Sequence, residues 1–124
     1  MYNETVIDHF KHPRNAGRLD DADGVGDATN PACGDIAKLF IKVAGDRITD
    51  ARFQTFGCSA CIATSSMVTL LCIGRTLAEA RAVTGEAVAA ALGGLPSGKM
   101  HCASLAADVL QVALDDYAKR AGGA

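Results

Sequence analysis

The sequence contains no tryptophan and only three prolines, and aromatic residues make up just 5% of it. No apolar run approaches the roughly 18 residues that a membrane-spanning helix requires, so no bilayer span and no membrane partner are expected. Positive charge is not in excess either: 12 Lys+Arg stand against 14 Asp+Glu, a formal net charge of −2. A protein that grips a phosphate backbone carries a cationic surplus, so nucleic acid is not an expected partner. Repeats, low-complexity tracts and an interdomain linker are all missing. The opening Met1-Tyr2-Asn3-Glu4 has neither a basic n-region nor an apolar h-region. That argues against a cleaved secretory signal and for a cytoplasmic protein.

What remains is ordinary globular material. With 124 residues, 49% hydrophobic and 21% charged, the chain reads as a single domain over 1–124. It should be ordered over about 3–119, with a frayed tail at Ala121-Gly122-Gly123-Ala124. A domain of this size buries roughly two thirds of the surface its unfolded chain exposes.

Residues 3–12 read as a short helix with Val6, Ile7 and Phe10 on one side, and with His9 and His12 on its polar face. Pro13 and Asn15-Ala16-Gly17 stop it. The Asp- and Gly-rich stretch 18–35 reads as loop, with a short strand around 26–29. Leu39, Ile41 and Val43 alternate with Lys38, Phe40 and Lys42, the period of a half-buried strand. Ala44-Gly45-Asp46 turns the chain, and Ile48 to Phe56 returns antiparallel, with Ala51, Phe53 and Thr55 on one face. Helices follow over about 59–73, 76–83 and 86–92. Thr76-Leu77-Ala78-Glu79 is a capping box. The last helix spans about 103–119, with Leu105, Val109, Val112 and Ala113 inward. The fold class is α+β: a small three-stranded antiparallel sheet packed against several helices.

Five cysteines, Cys33, Cys58, Cys61, Cys72 and Cys102, are the distinctive feature. An odd count without an export signal points to metal or thiol chemistry rather than a disulfide framework. Cys33 lies in Pro31-Ala32-Cys33-Gly34-Asp35, a turn that presents a thiolate and a carboxylate two residues apart. Cys58 opens the 59–73 helix, and Cys102 stands at the start of the last helix after Lys99-Met100-His101. A helix N-terminus favours an anion and depresses a thiol pKa. All three cysteines fall at element junctions, where distant segments can converge. The donor set is Cys33, Asp35, Cys58, His101 and Cys102, which suits iron or zinc. Cys72, late in a helix among Leu70, Leu71 and Ile73, reads as a buried apolar residue. Cys61 divides evenly between accessory ligand and plain burial. The Cys58-Ser59-Ala60-Cys61 spacing also suits a thioredoxin-like redox pair, but that motif belongs in a βαβ unit, and here an antiparallel hairpin precedes it.

Two motifs fail on inspection. Gly93-Gly94-Leu95-Pro96-Ser97-Gly98-Lys99 fits G-x-x-x-x-G-K, yet Met100 replaces the required hydroxyl and a helix, not a strand, precedes it. Pro31-Ala32-Cys33 lacks both the upstream H-x-E and the second cysteine of a zinc deaminase.

At these residues the sequence resembles the IscU/NifU-type iron–sulfur cluster scaffold family, over about 3–119. The matching segments are Val6-Ile7-Asp8-His9-Phe10 with His12-Pro13-Arg14-Asn15-Ala16-Gly17, then Pro31-Ala32-Cys33-Gly34-Asp35, then Ala51-Arg52-Phe53-Gln54-Thr55-Phe56-Gly57-Cys58 running on through Ile62-Ala63-Thr64-Ser65-Ser66, and finally Lys99-Met100-His101-Cys102. The resemblance implies a carrier rather than an enzyme. A labile 2Fe–2S cluster would be built from iron and persulfide sulfur, then passed to apo iron–sulfur proteins. A cysteine desulfurase would supply the sulfur and a ferredoxin-like reductant the electrons. By motif, Cys33, Asp35, Cys58 and Cys102 would hold the cluster, Cys102 would accept the persulfide and His101 would be an alternate ligand. Lys99 would be accessory, and zinc a possible resting metal.

Two departures stand out. Leu95-Pro96-Ser97-Gly98-Lys99 differs at two positions from the Leu-Pro-Pro-Val-Lys that a specialised Hsp70-type chaperone reads, which puts chaperone-assisted transfer in doubt. Cys61 stands where the family usually has a small residue. The second reading is a zinc-dependent persulfide acceptor that builds no cluster. That branch carries a longer segment between the second and third cysteines and lacks the histidine. Here the interval from Cys58 to Cys102 is 44 residues and His101 is present, which favours the scaffold. A purely structural zinc domain would need paired short spacings that only Cys58/Cys61 provides.

Overall fold

The computed structural model describes residues 2–31 and 34–122. Its elements are α1 (Glu4–Lys11), β1 (Gly24–Thr29), β2 (Ile36–Ala44), β3 (Arg47–Phe56), α2 (Ser59–Cys72), α3 (Leu77–Arg81), α4 (Gly85–Ala91), a 3-10 turn (Ser97–Lys99) and α5 (Met100–Ala121). The strands form one antiparallel sheet in the order β1-β2-β3, as the α+β reading expects. Gly45, at φ 64°, makes the β2–β3 turn in a region that other residues resist. Thr76 caps α3 reciprocally with Glu79, the capping box read from sequence.

The main layer is α5 laid on the sheet, with α2 beside it and α4 closing the far side. β1 begins at Gly24, two residues before the strand expected from the sequence. Glycine disfavours strands, but here it is what the helix needs. A Cβ on Gly26 would lie 2.5 Å from both the Ala113 amide nitrogen and the Val109 carbonyl oxygen, and one on Gly24 would lie 2.5 Å from the Ala113 carbonyl. The backbone of α5 therefore rests directly on the backbone of β1. Leu105, Val109 and Ala113 face inward as expected, joined by Leu110 and Leu114, whereas Val112 turns to solvent. α5 also starts three residues earlier than the sequence suggests, which puts Cys102 inside its first turn.

α2 is buried on nearly every side, from Ala60 to Cys72. Its small residues admit α1, α4, α5 and β3 at close range. Its buried hydroxyls are all satisfied, as burial demands. Ser65 Oγ pairs with Thr55 Oγ1 at 2.7 Å, and Thr69 Oγ1 donates to the Ser66 carbonyl at 2.7 Å. Ser66 Oγ lies 2.7 Å from His9 Nδ1 and accepts the Arg14 amide at 2.9 Å. Thus α1 turns Val6 and His9 inward, while Ile7 and Phe10 remain substantially exposed. The sequence suggests Ile7 and Phe10 inside and His9 outside; α1 instead turns Val6 into the core and pairs His9 with the Ser66 hydroxyl of α2. Burial holds the His9 pKa below the usual imidazole value.

Asn15 takes φ 63°, which asparagine tolerates. Its side chain donates to Thr69 Oγ1 at 3.0 Å, and its carbonyl accepts the Phe53 amide at 3.0 Å. This ties the segment after α1 to the outer edge of β3. On the sheet's other face, Phe40 is buried rather than exposed with its lysine neighbours. Arg18 and Lys38 each place a cation 5.8 Å from its ring centre.

Gly26→Ala should lower stability by at least about 2 kcal/mol, because the clash is with helix backbone that cannot yield. Urea denaturation checks this, with Gly98→Ala as control, since a Cβ there meets nothing within 4 Å. Equal midpoints for the two variants would refute the backbone-contact account.

Candidate metal centre

Three junctions meet at one end of the sheet. The first is the turn entering β2. The Gly34 amide donates to the Asn30 carbonyl at 2.7 Å, the Asn30 amide donates to the Asp35 carbonyl at 2.9 Å, and Gly34 takes φ 75°. The turn delivers Asp35, 7% exposed, to the sheet's end. The second junction is β3 to α2. Ile36 pairs with Phe56, so Gly57 stands beside Asp35. A Cβ on Gly57 would lie 2.5 Å from Asp35 Oδ1, so only glycine leaves room for the carboxylate. Cys58 is the N-cap of α2 and Cys61 faces the same side one turn later. The third junction is the start of α5, which supplies His101 and Cys102.

The thiols and the carboxylate converge. Cys58 Sγ lies 3.6 Å from Cys102 Sγ and 3.8 Å from Asp35 Oδ2. Cys61 Sγ donates to Asp35 Oδ2 at 2.8 Å. The donor atoms of Asp35, Cys58, Cys61 and Cys102 all lie within 4.8 Å of one another. His101 stands at the rim, with Nε2 3.5 Å from Cys102 Sγ. Behind the site, Thr64 Oγ1 lies 3.0 Å from the Cys61 carbonyl and 3.2 Å from the Cys102 carbonyl, joining α2 to α5. Tyr2 packs against the same small cluster of Ala60, Cys61 and Cys102. Neither Thr64 nor Tyr2 is recognisable from sequence as a support, because both act through a helix distant in the chain.

Of the residues proposed from sequence, Asp35, Cys58, His101 and Cys102 are therefore together. Cys33 lies outside the described residues. Cys72 is fully buried away from the site, near the Thr69 carbonyl, and burial pushes its thiol up to about 12, in keeping with an inert core residue. Gly93 to Lys99 follows α4 rather than a strand, which disposes of the phosphate-loop resemblance.

The charges are unequally shared. The Cys102 thiol is pulled down to about 6, first by hydrogen bonding from Cys61, then by Cys58 and the neighbouring His101, against the cost of burial. The Cys61 thiol is driven far up by its hydrogen bond to Cys102, by burial and by Asp35. Cys102 thus carries the negative charge and Cys61 keeps its proton. Nearby Cys58, then Tyr2, holds the Lys99 ammonium above the usual lysine value. Buried thiolate and carboxylate donors are the chemistry that binds zinc or iron.

This arrangement defines a small α+β domain with a cysteine–aspartate cluster at element junctions, able to hold a metal ion. The NifU-like N terminal domain family model matches residues 1–124. The iron-sulfur cluster assembly scaffold protein IscU 1 of Archaeoglobus fulgidus is 56% identical over 122 residues, covering 98% of this chain and 80% of that one. IscU of Escherichia coli K12 is 47% identical over 120 residues, covering 94% and 93%. A crystal structure of a putative SUF-system scaffold from Fervidobacterium islandicum superposes with a TM-score of 0.72 at 24% identity, covering 91% and 96%. The chain belongs to the NifU-like N-terminal domain family.

In metal-free protein, ultraviolet thiolate absorbance should show one thiol ionising near pH 6. Cys102→Ser should abolish that step, and Cys61→Ala should move it upward. Since this pKa is depressed relative to the unfolded chain, its stabilisation is present above the unfolded thiol value and lost as pH falls through about 6. A first ionisation at the ordinary thiol value of roughly 8.5 would contradict the assignment.

Proposed function

We propose that this protein is a scaffold, not an enzyme, on which an iron–sulfur cluster is assembled and from which it is delivered to apo-proteins. The observation that carries the reading is the convergence of Asp35, Cys58 and Cys102 in a chain matched throughout by the family. The cluster is cargo, and we assign it as 2Fe–2S. Cys33, Asp35, Cys58 and Cys102 hold it, with His101 as alternate ligand. Zinc is the resting metal at this site.

Sulfur arrives from a cysteine desulfurase as a persulfide on Cys102, whose low pKa makes it the thiolate nucleophile of the group. Each sulfane sulfur needs two electrons to become bridging sulfide, which calls for a ferredoxin-like reductant. Lys99, charged and beside Cys58, offsets negative charge as thiolates and sulfide accumulate. The Cys58, Cys61, Cys72 and Cys102 thiols are unpaired, which fits a reducing, cytoplasmic setting. No helix among the described residues is long and apolar enough to cross a membrane.

A mixed carboxylate–thiolate site grips a soft cluster less firmly than four sulfurs would, which suits a protein that gives its cluster away. Anaerobic reconstitution with ferrous iron, cysteine, reductant and a desulfurase should yield equal iron and sulfide, with charge-transfer bands lost in the Cys33→Ser, Cys58→Ser and Cys102→Ser variants. Tight zinc and a persulfide on Cys102 without any cluster would instead establish the sulfur-relay alternative. Asp35→Ala should slow cluster loss to an apo-ferredoxin; faster loss would show that the carboxylate retains the cluster rather than loosening it.

A further inference from the structure

Cys61 is not placed like a core thiol. Cys72, on the same helix, has its sulfur 3.6 Å from the Thr69 carbonyl, its one hydrogen-bond partner among the described residues. Cys61, 1% exposed, instead points its sulfur at a buried carboxylate and into a group with two further thiols.

Two of the separations match those of a ligand shell. A tetrahedral zinc-like ion with metal–sulfur bonds of about 2.3 Å sets its sulfurs about 3.7 Å apart, and its oxygen slightly nearer. Cys58 to Cys102 is 3.6 Å and Cys58 to Asp35 is 3.8 Å. The short edge is Cys61 to Asp35, at 2.8 Å, where a thiol proton now bridges sulfur and carboxylate. A cation that displaced this proton would need that edge to open by roughly an ångström. A second observation points the same way. Cys58 and Cys61 form a C-x-x-C pair at the start of α2, with both sulfurs on one face. That is the half-site of many zinc centres. Cys61, Cys102 and Asp35 are all buried, and closed four-ligand shells are the structural rather than the open catalytic kind. The Thr64 link between the Cys61 and Cys102 carbonyls fixes two of the donors relative to each other.

We propose that Cys61 is a metal ligand, and that Asp35, Cys58, Cys61 and Cys102 together bind one divalent cation of the zinc or ferrous class without Cys33. With Cys33 and His101 as further candidates, the donors outnumber the four a tetrahedral ion needs, so a thiol is available for sulfur chemistry with the ion still held. This concerns the site of the scaffold reading and takes only its location from it. Binding of metal alone tests it, so either reading can fail without the other.

The probe is cobalt(II), titrated anaerobically into Cys33→Ser protein and into the Cys33→Ser/Cys61→Ser double variant, each checked for helix content by circular dichroism. Cys33→Ser should bind one cobalt tetrahedrally with three-thiolate charge-transfer intensity. The double variant should lose about a third of that intensity, one thiolate of three. Its affinity should fall by more than about tenfold, the loss that even outer-shell changes cause. Unchanged spectra and affinity in the double variant would overturn the proposal, as would absence of binding in Cys33→Ser. Should the double variant not fold, X-ray absorption of zinc-loaded Cys33→Ser decides the matter alone. Three sulfurs and one oxygen support the assignment; two sulfurs or fewer refute it.

Discussion

The close approach of α5 to β1 is the contact on which the site depends. With no side chain at Gly24 or Gly26, the helix lies on the strand backbone, and Ala113 and Val109 meet it directly. That contact sets the height of α5 above the sheet, and its far end carries His101 and Cys102 to where Asp35 emerges. A thicker contact would lift Cys102 from a site whose separations are a few ångströms. Glycine here serves packing between elements rather than turning, and its cost in strand propensity is met by the apolar burial along Leu105, Val109, Leu110 and Leu114.

α2 has the complementary task. Most of its residues are buried, yet it carries Thr64, Ser65, Ser66 and Thr69 inside. Each hydroxyl reaches a different element: the first turn of α5, strand β3, helix α1 and the Asn15 turn. Apolar packing is non-directional and tolerates sliding, whereas satisfied buried hydrogen bonds specify register. The helix that presents Cys58 and Cys61 is thereby held against translation on several sides.

Much of the fold was legible because it is local. The β2–β3 hairpin, the Gly45 turn and the Thr76–Glu79 box depend on neighbours in sequence, and they read correctly. What misled depends on partners far along the chain. The inward face of α1 is chosen by Ser66, the strand character of Gly24 by Ala113, and the burial of Phe40 by Arg18 and Lys38. The site divides the same way. Cys58, Cys102, Asp35 and His101 stood out by type and by position at element ends. Helical spacing put Cys61 on the face of Cys58, but nothing local told that a carboxylate would lie opposite. Gly57, Thr64 and Tyr2 carry no chemical signature at all.

The 3.6 Å between the Cys58 and Cys102 sulfurs has a redox side. One of the two is a thiolate at neutral pH, and a thiolate is the form that oxidants attack first. In metal-free protein, a sulfenic acid formed on Cys102 would find a neighbouring thiol already within reach and condense to a disulfide. Metal removes both sulfurs from that chemistry by occupying their lone pairs. Occupancy between rounds of delivery would then be a form of chemical protection, and exposure to oxygen would be most damaging just after the cargo has left.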